Sequence, residues 1–531
     1  MSWQKYKSYL YYNRSLGLAL DISKVSFDDD APVKLEPALQ SAYDEMEKLE
    51  NGALANIDEN RMVGHYWLRD SSRAPDTQIK AEIEANIHAI KSFAESILSG
   101  NLKSIRNETF KDLLVIGIGG SALGPQLLYD ALGSNRNGLR LHFFDNTDPD
   151  GYQRVLNHIP EPGDTLCLVV SKSGGTKETR NGMLVMKKLL NDSYGQFAGN
   201  FVAITSPGSA LERMAQTEGW LATFPVWEWV GGRTSVFSSV GLLPAALHAV
   251  DIDSLLKGAR LMDEETRLRD TFKNPAAMLA QVWYLAGEGR GAKDMVVLPY
   301  SDRLLLFSRY LQQLIMESLG KRYDRQGREV FQGIAVYGNK GSTDQHAYVQ
   351  QLRDGLNNFF VTFIEVLNPF SQSGIEYCDA VQMEVEQQVD CSDYLTGFYL
   401  GTREALFQAG RDSISITIDS LDAEKLGMLI ALFERAVGLY ASLIDINAYH
   451  QPGVEAGKKA AARVLEIQRS IITALSSSDK ALSVEEVAEC AGCRKELETV
   501  FKVLRHLVAT GRVSLKVTGN IFDDRYFLAK E

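Results

Sequence analysis

The chain has 531 residues, enough for about three or four domains of ordinary size, or for fewer if these are large α/β units. A hydrophobic fraction of 45% and a charged fraction of 23% are ordinary for a globular protein, which excludes disorder over the whole chain. The net charge of -12 argues against a dedicated nucleic-acid binder, and only five cysteines indicate a reducing, cytoplasmic location.

The first half of the chain predicts an α/β lobe behind a leading segment. Residues 1–78 are predicted to form a mostly helical segment that packs on the large lobe, and an amphipathic helix follows near residues 79–98. Short apolar runs then alternate with helical stretches, at residues 113–118, 139–144, 165–170 and 201–204. Such alternation is typical of parallel strands with helices on both faces, and it predicts a first lobe over residues 79–247.

The same alternation starts again after residue 247. Strands are predicted at residues 294–299, 330–337, 359–367 and 413–418, with a helix at 304–319. The second lobe is therefore predicted over residues 248–475, and the fold class is α/β with two tandem doubly wound parallel sheets. The most apolar stretch, residues 426–446, is interrupted by Glu434 and Arg435, so no membrane span is expected.

The last part of the chain, residues 476–531, has a different pattern. Two short helical patterns precede a hairpin candidate around Gly519 and Asn520, which predicts a small α+β extension of winged-helix type. This extension carries nine Lys and Arg against nine Asp and Glu. It therefore lacks the basic surface that contacts to DNA phosphates need, and no nucleic-acid partner is expected.

Two predicted strands end in loops rich in small residues, GIGGSALGP at residues 117–125 and SKSGGTKET at residues 171–179. Ligands of parallel α/β sheets bind beyond the carboxyl ends of the strands. Glycines let backbone N–H groups approach an anion, and the following helix adds partial positive charge. The second loop also supplies three hydroxyls and a cation, from Ser171, Ser173, Thr176 and Lys172. Together the two loops predict a phosphate-binding site.

The first loop also fits a different kind of site. Gly117, Gly119 and Ala122 satisfy the loose dinucleotide fingerprint, and Asp145 ends the next predicted strand at a plausible distance for a ribose contact. A dinucleotide site does not explain the hydroxyl-rich second loop. The spacing alone therefore leaves an NAD-dependent function open beside the phosphate site.

Further polar residues have the chemistry of proton transfer and charge stabilisation. Gln313 and Glu317 are four residues apart on one helix face with apolar neighbours, a setting that favours a general base. Arg233 follows two glycines, and His346 lies in a long polar loop. Lys458 is expected in the second turn of a helix, where a cation is unfavourable for stability. Taken singly, Arg233, Glu317 and His346 are better explained as an ordinary turn residue, a glutamate at a helix end and an exposed loop histidine.

Taken together and in order, six segments resemble the glucose-6-phosphate isomerase (phosphoglucose isomerase) family. The similarity runs over roughly residues 106–463, and its segments are GIGGSALGP, SKSGGTKET, GGRTSVFSSVGL, MESLGK, GNKGSTDQH and HQPGVEAGKKAA. The resemblance implies two sugar-isomerase (SIS) lobes and a homodimer. It implies reversible isomerisation of glucose 6-phosphate and fructose 6-phosphate through ring opening and an enediolate.

The resemblance also implies the roles of individual residues. Catalytic roles fall on the enediol base Glu317, the intermediate-stabilising Arg233, and the ring-opening pair His346 and Lys458. Substrate-binding roles fall on Gly120, Ser121, Ser171, Lys172, Ser173, Gly174, Gly175, Thr176, Gln313 and Gln451. Each active site is expected to take its histidine from the partner chain, and no cofactor or metal is expected.

Some positions depart from the family pattern, and two other functions stay open. Thr234 stands where the family often has an aromatic residue, and His450 stands where an aspartate is common. Both changes bear on substrate affinity more than on reaction type. The alternatives are a sugar-phosphate sensor with a DNA-binding extension and an NAD-dependent sugar-phosphate dehydrogenase.

Overall fold

Residues 3–28, 30–133, 137–369 and 384–528 are described by the computed structural model of the protein. Contacts divide the chain into two units, Met1–His450 and Gln451–Glu531. The larger unit contains both predicted sheets, and the smaller one contains the C-terminal helices and hairpin.

The first sheet of the larger unit has five strands, and every neighbouring pair is parallel. In sheet order they are Arg140–Phe144, Asp112–Ile116, Thr165–Val170, Phe201–Thr205 and Ala222–Pro225. The helices that alternate with these strands are Gly120–Leu132, Pro149–Leu156, Lys177–Tyr194 and Ala210–Glu218. The four predicted strands of this lobe are confirmed. The fifth strand was missed, because its four residues are too few to show a pattern.

The second sheet has six strands, of which four are parallel as predicted. In sheet order they are Leu10–Asn13, Leu18–Lys24, Ser413–Ser420, Phe359–Asn368, Asp294–Tyr300 and Val336–Tyr337. The first two form an antiparallel hairpin from the leading segment, and Leu18–Lys24 also pairs antiparallel with Ser413–Ser420. The predicted strand at residues 330–337 is two strands, because Glu329–Gln332 pairs instead with Lys321–Tyr323.

The remaining helices of the larger unit cover the sheets and connect them. They are Trp3–Ser8, Ala31–Glu50, Thr77–Leu98, Ser239–Leu247, Ile252–Glu265, Pro275–Ala286, Phe307–Leu311, Val349–Asp354, Cys391–Gln408 and Ala423–Leu443, with a π-helix at Gln312–Glu317. Short 3-10 turns lie at Ile57–Glu59, Ser71–Arg73, Pro162–Asp164, Ala198–Asn200, Gly232–Thr234, Thr271–Lys273, Asp302–Leu304 and Thr343–His346. Glu384–Glu386 and Val389–Asp390 form a small antiparallel pair. The helix predicted near residues 79–98 begins two residues earlier, where the Asp76 side chain accepts from the backbone N–H of Ile79.

The helix Ala423–Leu443 is long and apolar enough to cross a membrane, but 89% of its most apolar window is buried inside the protein. Its two central charges are buried in ion pairs. Arg435 Nη2 lies 3.1 Å from Asp263 Oδ1, and Glu434 pairs with Arg69. A buried charge needs such a partner, and these partners come from other elements of the same unit. The helix is therefore explained as the central core helix of this unit.

The smaller unit has its own hydrophobic core. It consists of the helices Pro452–Ser476, Val484–Cys490 and Leu497–Ala509, and of the strands Ser514–Lys516 and Arg525–Phe527. The two strands pair antiparallel on either side of Gly519 and Asn520, as the sequence predicted. Its core contains Ile471, Val487, Val500, Leu504 and Tyr526. The winged-helix type of this unit stays a prediction.

Candidate active site

The two glycine-rich loops leave the first sheet at the same edge. They follow Asp112–Ile116 and Thr165–Val170, which are parallel neighbours. The helix Gly120–Leu132 starts directly at the first loop, and Thr176 precedes the helix Lys177–Tyr194 at the second. Two helix N-termini therefore accompany the loops, and the partial positive charge of such ends favours an anion.

The second loop is held together by its own hydroxyl groups. The Gly174 backbone N–H donates to Ser171 Oγ at 3.1 Å, and Ser171 Oγ donates to Thr176 Oγ1 at 3.2 Å. The Gly175 N–H donates to Ser173 Oγ at 3.1 Å. The loop therefore concentrates small hydroxyls and backbone donors within six residues. Hydroxyl and backbone N–H groups are the donors that phosphate oxygens accept from in loops of this kind.

Lys172 contacts backbone carbonyls in this structure. Its Nζ donates to the oxygens of Glu228 and Val230, at 2.8 and 3.0 Å. Burial lowers the pKa of the Lys172 ammonium. The contacts tie the second loop to the segment that leads into Gly231 and Arg233. These contacts therefore indicate that Lys172 positions that segment. A contact between Lys172 and a substrate phosphate stays a prediction.

The first loop packs closely against the residues around Arg233 and Glu317. A β-carbon added to Gly120 would lie 1.9 Å from the Gly232 carbonyl oxygen, and one added to Gly119 would lie 3.1 Å from Gln313 Nε2. Gly119 also has a φ of +60°, which favours glycine. Glycine is therefore required here so that three separated segments can meet.

Glu317 is the last residue of the π-helix Gln312–Glu317. Gln313 Nε2 donates to Glu317 Oε2 at 3.0 Å, and Arg233 Nη1 lies 3.6 Å from Glu317 Oε1. The Glu317 side chain is 21% exposed, whereas that of Arg233 is 6% exposed. Short π-helical turns occur frequently at functional sites. The carboxylate is thus held by one neutral donor and one cation while part of it stays accessible.

Two cations also hold the main chain at Glu317. Arg233 Nη1 donates to the Glu317 carbonyl oxygen at 2.8 Å, and Lys321 Nζ donates to the same oxygen at 2.7 Å. Arg233 Nη2 also contacts the His450 carbonyl oxygen at 3.3 Å. Burial and the neighbouring Arg233 charge lower the pKa of Lys321 to about 7. The sequence predicted no role for Lys321, and its only distinguishing feature there is its position four residues after Glu317.

The pKa of Lys321 predicts a specific pH dependence of stability. The pKa of Lys321 is about 7 in the folded chain, below the ordinary 10.5. Between these two pH values the Lys321 side chain is therefore protonated in the unfolded chain and mostly deprotonated in the folded chain. The unfolding free energy therefore rises with pH across this window. Relative to Lys321→Met, we expect the wild type to gain about 2 kcal/mol between about pH 7 and 9, as measured by urea unfolding at each pH. Identical pH dependence in both proteins would contradict the assignment.

Glu317 and Gln313 line an open cavity of about 370 Å³. Its other lining residues are Ile118, Gly119, Ala122, Leu123, Asp145, Arg309, Gln312 and Met316. This volume lies in the range of small-molecule sites. Asp145, the ribose contact of the dinucleotide interpretation, accepts from Gln126 Nε2 at 2.8 Å and lies 3.8 Å from Arg309 Nη2. Both of these Asp145 contacts are thus with side chains of the same chain.

His346 lies outside this group of residues. It ends the turn Thr343–His346 and is exposed, and within the described residues no hydrogen bond or ion pair joins it to Glu317. Its loop is ordered by Asp344, which accepts from the backbone N–H groups of Asn339 and Lys340 at 2.9 and 3.1 Å. The loop therefore presents His346 at the surface of the chain.

The remaining predicted site residues lie in the smaller unit. Gln451 immediately precedes the helix Pro452–Ser476, and Lys458 lies in the second turn of that helix, as the sequence predicted. Within the larger unit, the structure brings together the first loop, Arg233, Gln313 and Glu317. Across the described part of the chain, no three His, Cys, Asp or Glu side chains form a group that could hold a metal ion.

Comparisons with known proteins agree on one family. A sequence model described as Phosphoglucose isomerase matches residues 21–483. A protein of Geobacter sp. (strain M21) named glucose-6-phosphate isomerase is 54% identical over 528 residues, which cover 99% of this chain and 98% of that protein. One of the same name from Trichormus variabilis is 54% identical over 511 residues, covering 96% and 95%.

Solved structures are similar as well. The crystal structure of a glucose-6-phosphate isomerase from Chlamydia trachomatis is 25% identical with a TM-score of 0.78, and the match covers 88% of this chain and 92% of that one. A hypothetical protein from Thermus thermophilus is 29% identical with a TM-score of 0.69, covering 84% and 99%. The similarity therefore extends over both sheets and is not confined to the loop motifs.

Proposed function

This chain belongs to the phosphoglucose isomerase family, and we propose that it reversibly interconverts glucose 6-phosphate and fructose 6-phosphate. The observation that carries the proposal is the setting of Glu317 at an accessible cavity, where Gln313 and Arg233 hold its carboxylate. An aldose–ketose isomerase needs one positioned base and one fixed positive charge near it. A sensor that only binds sugar phosphate needs neither.

Glu317 is proposed to move the proton between C2 and C1 of the open-chain sugar. The base takes the C2 proton of the aldose and returns it to C1, while the hydroxyl proton on O2 is transferred to O1 of the enediolate. The carboxylate is thus regenerated, and no electrons leave the sugar. The hydrogen bond from Gln313 fixes one carboxylate oxygen, which orients the base. Oxygen Oε1 lies 3.6 Å from Arg233 Nη1, and the Glu317 side chain as a whole is 21% exposed, which leaves it accessible to substrate.

Arg233 is proposed to stabilise the enediolate. Its guanidinium already donates to the carbonyl oxygens of Glu317 and His450, so its position is fixed before substrate binds. A preorganised cation stabilises developing negative charge without reorganisation during the reaction. Because arginine stays protonated, it adds charge without exchanging protons with the base.

The ring must open before the proton shift, and we assign this step to His346 and Lys458. One of them protonates the ring oxygen while the other removes the anomeric hydroxyl proton. Exposure of His346 on its ordered loop supports a site shared across a homodimer, in which His346 acts in the partner's site. Substrate contacts by Gln451 belong to the same proposal.

The phosphate is proposed to bind at the two glycine-rich loops. Gly120 and Ser121 lie at a helix N-terminus, and residues 171–176 offer hydroxyls and backbone N–H groups. Binding the phosphate there turns binding energy into orientation of the reacting carbons. We also propose a cytoplasmic location, supported by four described cysteines that are all free.

The activity can be tested directly by a coupled assay. Purified protein should convert fructose 6-phosphate to glucose 6-phosphate, detected through an added glucose-6-phosphate dehydrogenase. With NAD and sugar phosphate alone, we expect no absorbance change, because Asp145 is engaged with Gln126 and the site offers a proton-transfer base. Cofactor reduction without the coupling enzyme would overturn the proposal in favour of a dehydrogenase.

The phosphate loops predict a separation of kinetic effects. Thr176→Ala should raise KM for fructose 6-phosphate about 10-fold with little change in kcat, because it removes one hydroxyl from the phosphate contacts. Lys172→Ala should raise KM and also lower kcat, because its contacts with Glu228 and Val230 position the segment of Arg233.

Neither variant should gain activity on free glucose or fructose. Steady-state kinetics with phosphorylated and unphosphorylated sugars check both statements. Equal turnover of free and phosphorylated sugars by the wild type would show that the loops do not bind phosphate.

A further inference from the structure

His346 differs from the two residues before it in its loop, because they are turned into the protein while it is exposed. It closes the turn Thr343–His346, which leads into the helix Val349–Asp354. Asp344 is only 3% exposed, and Gln345 is half-buried. The histidine therefore follows directly on two anchored side chains.

The Asp344 carboxylate joins the two arms of this loop. Its Oδ2 accepts from the backbone N–H groups of Asn339 and Lys340, at 2.9 and 3.1 Å, and from the Tyr348 hydroxyl. Its Oδ1 accepts from Asn339 Nδ2 at 3.3 Å. Because these donors lie both before and after His346 in the chain, one carboxylate holds both sides of the loop together.

These four hydrogen bonds all come from neutral donors. A buried carboxylate is costly unless its oxygens accept hydrogen bonds, so the loop conformation that supplies them is favoured. Burial and the hydrogen bond to Asp344 raise the pKa of the Tyr348 hydroxyl, which therefore remains a donor. The Asp344 carbonyl oxygen also accepts from the backbone N–H groups of Ala347 and Tyr348, both at 3.1 Å. The main chain on each side of His346 is thus fixed.

Gln345 connects the same turn to the body of the larger unit. Its Nε2 lies 3.1 Å from both the Tyr300 hydroxyl and the Phe398 carbonyl oxygen, and it also contacts Thr402 Oγ1. Tyr300 ends a strand of the second sheet, and the other two partners belong to one helix. The loop of His346 is therefore tied to two regular elements by the residue next to the histidine.

We propose that Asp344 and Gln345 are positioning residues, which hold His346 where its imidazole reaches the ring of the bound sugar. A general acid or base acts only within hydrogen-bond reach of the proton that it transfers. A displacement of about 1 Å can therefore cost about 100-fold in rate. The proposal rests on the ring-opening role proposed for His346, and its test tells the two apart.

Steady-state kinetics of single variants give the first measurement. Asp344→Ala removes all four side-chain hydrogen bonds, so kcat should fall between about 10-fold and 100-fold while KM changes little. Asp344→Asn keeps an oxygen for the N–H groups of Asn339 and Lys340, and its kcat should stay within about 3-fold of the wild-type value. Asp354→Ala is the matched control, because Asp354 is a carboxylate at the surface that pairs with Arg353, and it should keep wild-type kcat.

The affected step can be measured as well. Interconversion of the α and β anomers of glucose 6-phosphate needs ring opening but no proton shift at C2. It should therefore slow in Asp344→Ala by a factor similar to that of kcat. Unchanged interconversion of the anomers beside a lowered kcat would overturn the proposal, because the defect would then lie in another step.

A mixing experiment separates a positioning role from a general structural one. If His346 acts in the partner's site, an Asp344→Ala chain still carries an intact Glu317, and a Glu317→Gln chain can complete that site with its own positioned histidine. Random exchange makes about half of all dimers mixed, so about a quarter of the wild-type activity should return. Asp344→Ala mixed with His346→Ala should recover nothing, because each mixed site lacks a positioned histidine.

Gln345→Ala covers the case in which Asp344→Ala does not fold or dimerise. It removes the second anchor and should lower kcat about 10-fold, with the same pattern on mixing. Wild-type kcat in each of these two variants that folds would overturn the proposal. So would a defect that Glu317→Gln chains fail to complement although they complement His346→Ala. Full activity of His346→Ala would overturn the ring-opening role itself, and the proposal with it.

Discussion

Glu317→Gln is expected to lower kcat by at least about 100-fold, which is the low end for the loss of a positioned general base. The substitution is nearly isosteric, and the amide oxygen can still accept from Gln313 Nε2, so the local hydrogen bond persists. What disappears is the group that takes the C2 proton. Since the phosphate loops are untouched, KM should change by much less than kcat.

The measurement is steady-state kinetics beside a thermal unfolding curve for each protein. Glu329→Gln is a suitable control, because Glu329 pairs with Arg322 at the surface and does not line the cavity at Glu317. It should retain wild-type kcat. A folded Glu317→Gln protein with near-normal turnover would contradict the assignment of the base. Retained proton exchange at C2 in that variant would contradict it equally.

The second large effect is expected from mixing two inactive variants. If His346 serves the partner's site, a dimer of one His346→Ala chain and one Glu317→Gln chain contains one complete site and one that lacks both groups. Random exchange makes about half of all dimers mixed, so activity should recover to about a quarter of the wild-type value. The exposed position of His346, without a contact to Glu317 in its own chain, supports this arrangement.

Recovery should follow the fraction of mixed dimers, measured by native mass spectrometry after subunit exchange. Mixing His346→Ala with itself gives the control, because these dimers contain no complete site. Mixed dimers that form but stay inactive would show that each site is built within one chain. Full activity of His346→Ala alone would remove the histidine from the mechanism.

Much of the candidate site was predictable from short-range patterns in the sequence. The loops at residues 117–125 and 171–179 were predicted because apolar runs of strand length end in small and hydroxyl residues. The spacing of Gln313 and Glu317 predicted that they share a helix face, and the structure places a 3.0 Å hydrogen bond between them. Side chains four residues apart on a helix meet because of its geometry, so this contact needs no knowledge of the fold.

Contacts between distant segments were not predictable in this way. The hydrogen bond from Arg233 to the Glu317 carbonyl depends on packing between segments about eighty residues apart. The low pKa of Lys321 arises from burial and from the Arg233 charge, and neither is visible in the motif MESLGK.

Local sequence patterns predicted most of the parallel strands and both glycine-rich loops, because apolar periodicity and turn chemistry act within a few residues. Tertiary structure alone decided that Leu18–Lys24 joins the second sheet. Its partner Ser413–Ser420 is nearly four hundred residues away, and their antiparallel pairing satisfies backbone groups that no local pattern assigns. Tertiary structure also decided which cations surround Glu317, since burial and electrostatic interactions act through space between residues that are distant along the chain.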